Sequence, residues 1–92
     1  MALRFEWDSE KAKENYKKHD VSFGEAATCF GDAMSLSIDD EAHSEQEERY
    51  LLIGLSVHGR LLVVSHTDRK GVIRLISARL ATRRERKQYE EV

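Results

Sequence analysis

Four residues in the second half of the chain have the chemistry to act on a phosphate group: Arg49, His66, Arg74 and Arg79. The planar fork of arginine donates two hydrogen bonds to phosphate oxygens and stays charged at any plausible pH. An arginine cluster can also stabilise the extra negative charge of a pentavalent phosphorane, the main electrostatic demand of metal-free RNA cleavage. Histidine is the conventional acid or base for such a step. These four residues are therefore the catalytic candidates of a phosphate-directed site.

Three β-rich runs predict the strands that would position these side chains: "RYLLIGLSV", "RLLVVSHT" and "VIRLISA". The pair His58-Gly59 suits a tight hairpin turn between the first two runs, and a second turn is expected at 68–71. Arg49 begins the first strand and His66 lies near the end of the second. An antiparallel meander can bring both residues to one region of the sheet.

Arg74 and Arg79 lie in and just beyond the third predicted strand. The side chains of a regular strand alternate between its two faces, so an odd spacing sends these two arginines to opposite faces. A bend near Ser77 or Ala78 would change that. The sequence leaves open which arginine faces an open surface.

Capping signals predict three helices around these strands. Asp8 caps "SEKAKENYKKHD", and Ser22 with Glu25 forms the capping-box pattern of "FGEAATCF", which Gly31 closes. Thr82 and Glu85 repeat that pattern before a last helix that ends at about residue 91. "AMSLSID" alternates like a strand, and the acidic "DDEAHSEQEE" is typical of a mobile loop. We therefore expect an α+β fold over one domain, 1–92, with two N-terminal helices, an antiparallel three- to four-stranded sheet and a C-terminal helix.

The charge is distributed unevenly along the chain. Residues 1–59 hold six Lys or Arg against thirteen Asp or Glu, whereas residues 60–92 hold nine against four, so the two parts carry −7 and +5. This split indicates a basic surface for a polyanion or an acidic partner, together with an acidic part that can meet a basic partner. The candidates for RNA contact are Arg60, Arg69, Arg83, Arg84 and Lys87.

Composition excludes several other classes of function. The single cysteine, Cys29, cannot form an internal disulfide and has no His or Cys partner at zinc-ligand spacing, so we expect no metal and no cofactor. No apolar stretch is long enough to span a bilayer, and the N-terminus lacks the apolar region of a signal peptide. We expect a cytoplasmic protein without membrane contact.

Each candidate residue also has a purely structural interpretation. Arg74 can lay its stem over the sheet and pair with an acid of the 39–48 loop. His66 can be an ordinary strand-end histidine with a satisfied hydrogen bond. The basic residues of the last helix can form a solvated face, although contact with RNA is an equally good explanation.

Four motifs across nearly the entire chain resemble the BrnT family of bacterial toxins from type II toxin–antitoxin systems. They are W-D-x-x-K-A, K-H-x-V-S-F, H-S-x-x-E-E-R-Y-x-x-I-G and I-S-A-R-x-A-T-x-x-E. Two positions depart from the family pattern: Asp20 stands where a glycine is common, and Cys29 where an aliphatic residue is usual. Neither departure touches the candidate site.

The resemblance implies a RelE-like fold and translation inhibition through RNA cleavage. It also implies a BrnA-like antitoxin with a ribbon-helix-helix DNA-binding part, through which alone the toxin would reach operator DNA and repress its operon. Among the matching positions, Arg49 in "EERY" and Arg79 in "ISAR" are the favoured catalytic residues, with Arg74 and His66 in support. Glu48 is a possible base, or it only orients Arg49.

Two other classes of function fit the same residues. A non-catalytic subunit would bind the antitoxin and take part in operon control without cleaving RNA, and the absence of an assured general base favours it. An autonomous DNA-binding module fits less well, because the basic residues do not lie on a helix with an evident dimer partner.

Overall fold

The computed structural model describes residues 3–43 and 47–91, which form one five-stranded sheet with helices on both faces. The strands are β1 (Arg4–Glu6), β2 (Leu36–Asp39), β3 (Tyr50–Leu55), β4 (Leu61–Arg69) and β5 (Val72–Leu80); the helices are α1 (Ser9–His19), α2 (Phe23–Thr28) and α3 (Arg83–Glu90). Their order in the sheet is β1-β5-β4-β3-β2, and all neighbours are antiparallel except β1 and β5. The α+β class and the three predicted helices are confirmed.

The predicted strand count and the purely antiparallel sheet were wrong. The described residues contain five strands, because Arg4–Glu6 pairs in parallel with Val72–Arg74 at one edge. Three residues are too few to show a strand period in the sequence. The strand forms only because a partner far along the chain offers its backbone.

Side-chain caps begin the helices as expected. The Asp8 carboxylate accepts hydrogen bonds from the N–H groups of Glu10 (2.8 Å) and Lys11 (3.1 Å). Thr82 and Glu85 form a complete capping box before α3. The box predicted before α2 is only half formed: Ser22 accepts from the N–H of Glu25, but the Glu25 carboxylate bonds elsewhere.

Asp20 ends α1 in the left-handed conformation, with φ at +57°. Asp and Asn tolerate this region better than most residues, but glycine adopts it without a Cβ penalty. A glycine would end the helix here without that penalty, in agreement with the family pattern expected from the sequence. The difference from the expected family pattern at Asp20 therefore concerns only how α1 ends.

The core lies between the sheet and helices α1 and α2, on what we call the helix face. Buried members include Val21, Phe23, Leu52, Val64 and Leu75. The opposite face, called the open face, is covered by α3 at one end, where Ala81 and Tyr89 pack against Ile53, Leu61 and Val63. The rest of the open face carries both polar and apolar side chains, such as the paired Ser65 and Leu51.

Asn15 links α1 to the edge of the sheet. Its amide nitrogen donates to the carbonyls of Val21 (3.0 Å) and Ala78 (2.9 Å), and its Oδ1 accepts from the N–H of Ala78 (3.0 Å). Because β1 pairs with β5 only over Val72–Arg74, this side chain supplies the hydrogen bonds that a longer edge strand would make. It therefore holds the helix layer on the second half of β5.

The acidic segment after β2 begins with a 3₁₀ turn at Glu41–His43. Residues 44–46 of the predicted mobile loop lie outside the described residues, and its mobility stays a prediction. None of the helices in the described part of the chain is long and apolar enough to cross a membrane.

Candidate functional site

A depression of about 250 Å³ lies on the open face. Its lining consists of Asp40, Arg49, Leu51, Ser65, Ile76, Ser77 and Arg79. Ser65 and Ser77 are directly opposite in the β4–β5 ladder, so their side chains form a small polar floor. The structure thus brings both favoured arginines to one depression, Arg49 from just before β3 and Arg79 from near the end of β5.

A bulge in β5 resolves the parity of Arg74 and Arg79. Ser65 pairs with Ser77, but the next β4 residue, His66, pairs with Leu75, so β5 contains one extra residue at Ile76. Because of this extra residue, side chains five positions apart across the bulge point to the same face of the sheet. Arg74 and Arg79 therefore share the open face. The bend that the sequence left open occurs one residue before Ser77.

The Arg79 guanidinium is paired with the carboxylate of Glu85. Its two terminal nitrogens donate to the two carboxylate oxygens at 2.7 and 2.9 Å. The same carboxylate accepts from the N–H of Thr82 at 2.9 Å. These contacts, with Arg79 as the largest cause, lower the pKa of Glu85 to about 2. Arg79 is thus held at the depression by α3, with its fork engaged as it would be by a phosphate.

Arg69 and Arg74 belong to a second charged group on the open face. Arg69 donates to both carboxylate oxygens of Glu47 (2.9 and 3.0 Å), and Arg74 donates to Glu6 (3.2 Å). The pKa of Glu47 is lowered mainly by Arg69, with smaller contributions from Arg49 and Arg74. The arginines therefore act on a common region, although Arg74 does not line the depression.

His66 lies on the helix face, away from the arginines. Its ring packs edge-on against Phe30, with centroids 4.9 Å apart, and beside Tyr50 at 5.8 Å. Its Nδ1 is 3.2 Å from the carbonyl oxygen of Val64. Burial is the main cause that lowers its pKa, so the ring is neutral at pH 7. His66 does not join the arginines as expected, because the side chain at its position in the strand points to the other face of the sheet.

Arg60, one of the predicted RNA contacts, is part of a structural ion pair. It forms a bidentate pair with Glu25, whose side chain is 7% exposed, and also donates to the carbonyl of Asp20 (3.0 Å). The Ser56 hydroxyl donates to the same carboxylate at 2.7 Å. These bonds lower the pKa of Glu25, with Arg60 as the largest cause. Arg60 therefore joins α2 to the β3–β4 turn.

The remaining predicted RNA contacts, Arg83, Arg84 and Lys87, are exposed on α3. Sequence reasoning missed the depression's serines and Asp40. The polar interruptions in "VVSHT" and "LISAR" were the available signal for the serines. Thr67 was also missed; it is fully buried, and its hydroxyl has no hydrogen-bond partner among the described residues.

Within residues 3–43 and 47–91, no group of three or more His, Cys, Asp or Glu side chains is arranged to hold a metal ion.

The fold and its open face define a class, namely α+β domains with arginines grouped on one face of a mixed sheet. The chain belongs to the BrnT family: residues 7–85 match the family described as the ribonuclease toxin, BrnT, of type II toxin–antitoxin systems. The family predicted from the four motifs is thereby confirmed, and with it an antitoxin as partner.

A solved structure has the same fold. The 1.1 Å crystal structure of the Brucella abortus ribonuclease toxin BrnT is similar to this chain with a TM-score of 0.69 at 19% identity. The similarity covers 89% of this chain and 100% of the Brucella chain. A comparison with curated protein sequences finds no match.

Proposed function

We propose that the chain is a metal-independent endoribonuclease that cuts RNA at the open-face depression and thereby inhibits translation. The observation that carries the proposal is the approach of Arg49 and Arg79 to one depression from different strands. Membership of a ribonuclease toxin family supports the reaction class. The chain acts as a single RelE-like domain in the cytoplasm.

The reaction is a transesterification within the RNA backbone. A phosphate lies in the depression, the adjacent ribose 2′-oxygen attacks phosphorus, and the bond from phosphorus to the 5′-oxygen breaks. The products are a 2′,3′-cyclic phosphate and a 5′-hydroxyl. Arg49 and Arg79 offset the charge that develops on the phosphorane oxygens. DNA lacks the attacking hydroxyl and is not cut.

Asp40 is the candidate for accepting the proton of the 2′-hydroxyl. It is the carboxylate that lines the depression together with both arginines. Glu48, the base considered from the sequence, accepts a hydrogen bond from the Tyr50 hydroxyl at 2.7 Å and does not line the depression. Water supplies the proton for the departing 5′-oxygen.

Basic side chains around the depression enlarge the surface that RNA can contact. Arg83, Arg84 and Lys87 are exposed on α3, whose N-terminus lies beside Arg79 through Glu85. These side chains can bind phosphates along the strand without reading its sequence. Arg69 and Arg74 extend the same side. Each of them, like Arg79 with Glu85, must exchange a carboxylate partner for a phosphate.

The antitoxin is BrnA-like, with a ribbon-helix-helix part that binds operator DNA. The complex represses its own operon, and the toxin reaches DNA only through the antitoxin. The acidic N-terminal part of the chain, with its −7 charge, supports a basic contact from this partner.

A non-catalytic antitoxin-binding subunit is the second candidate. The observation in its favour is that carboxylates of the chain itself occupy Arg79, Arg74 and Arg69. In that case the arginines stabilise the sheet and no RNA is cut.

Cleavage of a defined RNA by the purified protein in EDTA tests the proposal. We expect wild type to cut and both Arg49→Ala and Arg79→Ala to lose about 100-fold or more in rate, because each removes a donor to the phosphorane. Arg86→Ala is the matched control, since it removes the same charge from the exposed side of α3. An RNA with one 2′-deoxy position should resist cleavage at that position.

Circular dichroism and thermal unfolding must first show that every variant is folded. If folded wild type leaves RNA intact in EDTA, both alone and with ribosomes, the binding-subunit function replaces the proposal. Activity that appears only after Mg²⁺ is added would contradict metal independence alone.

A further inference from the structure

A second cavity, of about 260 Å³, lies on the helix face and belongs to no part of the proposed RNA site. It is lined by Ser37, Tyr50, His66, Asp68 and Ile73. Its volume is below the usual range for a small-molecule site, but it can hold one long side chain. The lining combines two aromatic rings with a carboxylate and a hydroxyl.

The polar groups of this cavity are mainly hydrogen-bond acceptors. His66 is 7% exposed, and Nδ1–H donation to Val64 leaves Nε2 of the neutral ring as an acceptor. Nε2 makes no hydrogen bond to the described part of the chain. Oδ1 of Asp68 accepts a hydrogen bond from the N–H of Gly71 (3.1 Å), and the carboxylate keeps further acceptor sites. A ligand that fits this cavity must therefore supply hydrogen-bond donors.

Negative charge surrounds the Tyr50 ring. Its hydroxyl donates to Glu48, and Asp39 lies directly opposite Tyr50 in the β2–β3 ladder. The carboxylates of Glu48, Asp39 and Asp68 all raise the pKa of Tyr50, with the Glu48 hydrogen bond as the largest cause. A neighbouring cavity of about 140 Å³ shares Tyr50 and is otherwise lined by three carboxylates and one arginine, namely Asp39, Glu41, Glu48 and Arg49. The carboxylates outnumber the arginine, so the net charge of this rim is negative, which disfavours a phosphate and favours a cation.

We propose that the helix-face cavity binds an arginine side chain of the antitoxin. The guanidinium stacks on Tyr50, donates to Asp68 and to Nε2 of His66, and its stem packs on Ile73. An arginine fits better than an RNA base, since the phosphates beside a base would meet the carboxylate rim. The inference rests on the antitoxin partner of the family and is independent of RNA cleavage.

Asp68→Asn is the test variant, because it removes the charge and keeps an Oδ1 that can accept from Gly71. Glu90→Gln is the matched control: it makes the same charge change at an exposed site of α3, outside both the cavity and the acidic residues 1–59. Binding of the purified antitoxin is measured by titration calorimetry. We expect Asp68→Asn to weaken binding at least tenfold and Glu90→Gln to leave it unchanged.

A ligand titration on wild type examines the cavity without any variant. Acetyl-arginine amide is compared with acetyl-citrulline amide, which has the same shape and no charge, while NMR follows the ring signals of Tyr50 and His66. We expect only the arginine compound to shift them. The proposal is overturned if Asp68→Asn binds the antitoxin like wild type, or if the rings respond to an oligoribonucleotide and not to arginine.

RNA cleavage by Asp68→Asn separates the two proposals. We expect its rate to equal that of wild type, because Asp68 lies on the other face of the sheet. A protein that cuts no RNA and still loses antitoxin affinity in this variant contradicts the ribonuclease proposal only.

Discussion

The Arg79–Glu85 pair gives a quantitative prediction for stability. Glu85→Gln keeps an oxygen that can accept from Thr82 and Arg79 but removes the charge. A pKa of about 2 in the folded state, against an ordinary value of 4.5, corresponds to ~3 kcal/mol at neutral pH. The Arg79 side chain is 38% exposed, so solvent screening reduces this value. We expect Glu85→Gln to lower the free energy of unfolding by ~1–2 kcal/mol at pH 7.

The pH dependence follows from the direction of the shift. A carboxylate with a lowered folded pKa contributes stability that is fully present above its unfolded pKa and is lost as pH falls toward the folded one. The difference between wild type and Glu85→Gln should therefore shrink below about pH 4.5 and vanish near pH 2. Urea unfolding followed by circular dichroism measures it, with Glu14→Gln on the exposed side of α1 as control. A difference that is equal at pH 7 and pH 3 would refute the electrostatic explanation.

Three further predictions concern packing and the other buried groups. Gly54→Ala should destabilise the fold by ~1–3 kcal/mol, because a new Cβ would lie 3.0 Å from the carbonyl oxygen of Cys29. The control is Gly24→Ala, whose new Cβ would meet only a side-chain atom at 3.8 Å. This control should be neutral or stabilising in the same urea assay. The Cys29 thiol, whose pKa is raised to about 12 mainly by burial, should react with a disulfide reagent only as fast as the protein unfolds; rapid labelling of native protein contradicts its burial. Arg60→Ala should lower the melting temperature because it leaves the Glu25 carboxylate without its cation, whereas RNA affinity should stay at the wild-type value in a binding titration.

Local signals in the sequence predicted most of the elements. Caps at Asp8 and Thr82 depend on residues two or three positions apart, and the sequence contains both partners. β1 could not be predicted, since its partner strand is distant and its own length is three residues. The Glu25 carboxylate was expected to complete a capping box, but Arg60 and Ser56 offer stronger bonds from another part of the chain.

The site depends on a feature that alternation alone cannot supply. Counting along a regular strand separates Arg74 from Arg79, and the extra residue Ile76 reunites them. The bulge is a property of the pairing of two strands, so the sequence of β5 indicates only that a bend is possible. His66 was expected near the arginines because of its position near the end of the second predicted strand. Its side chain instead lies on the other face of the sheet.

Asn15 also decides where another chain can add to the sheet. An exposed strand edge invites a further strand, whether from a partner or from an aggregating copy. The Asn15 amide bonds both the carbonyl and the N–H of Ala78, so a further strand cannot pair with β5 at this residue. The two terminal strands of the sheet are β1 and β2, each of which pairs with one neighbour. Strand addition is therefore directed to the outer edges of β1 and β2 and away from the second half of β5.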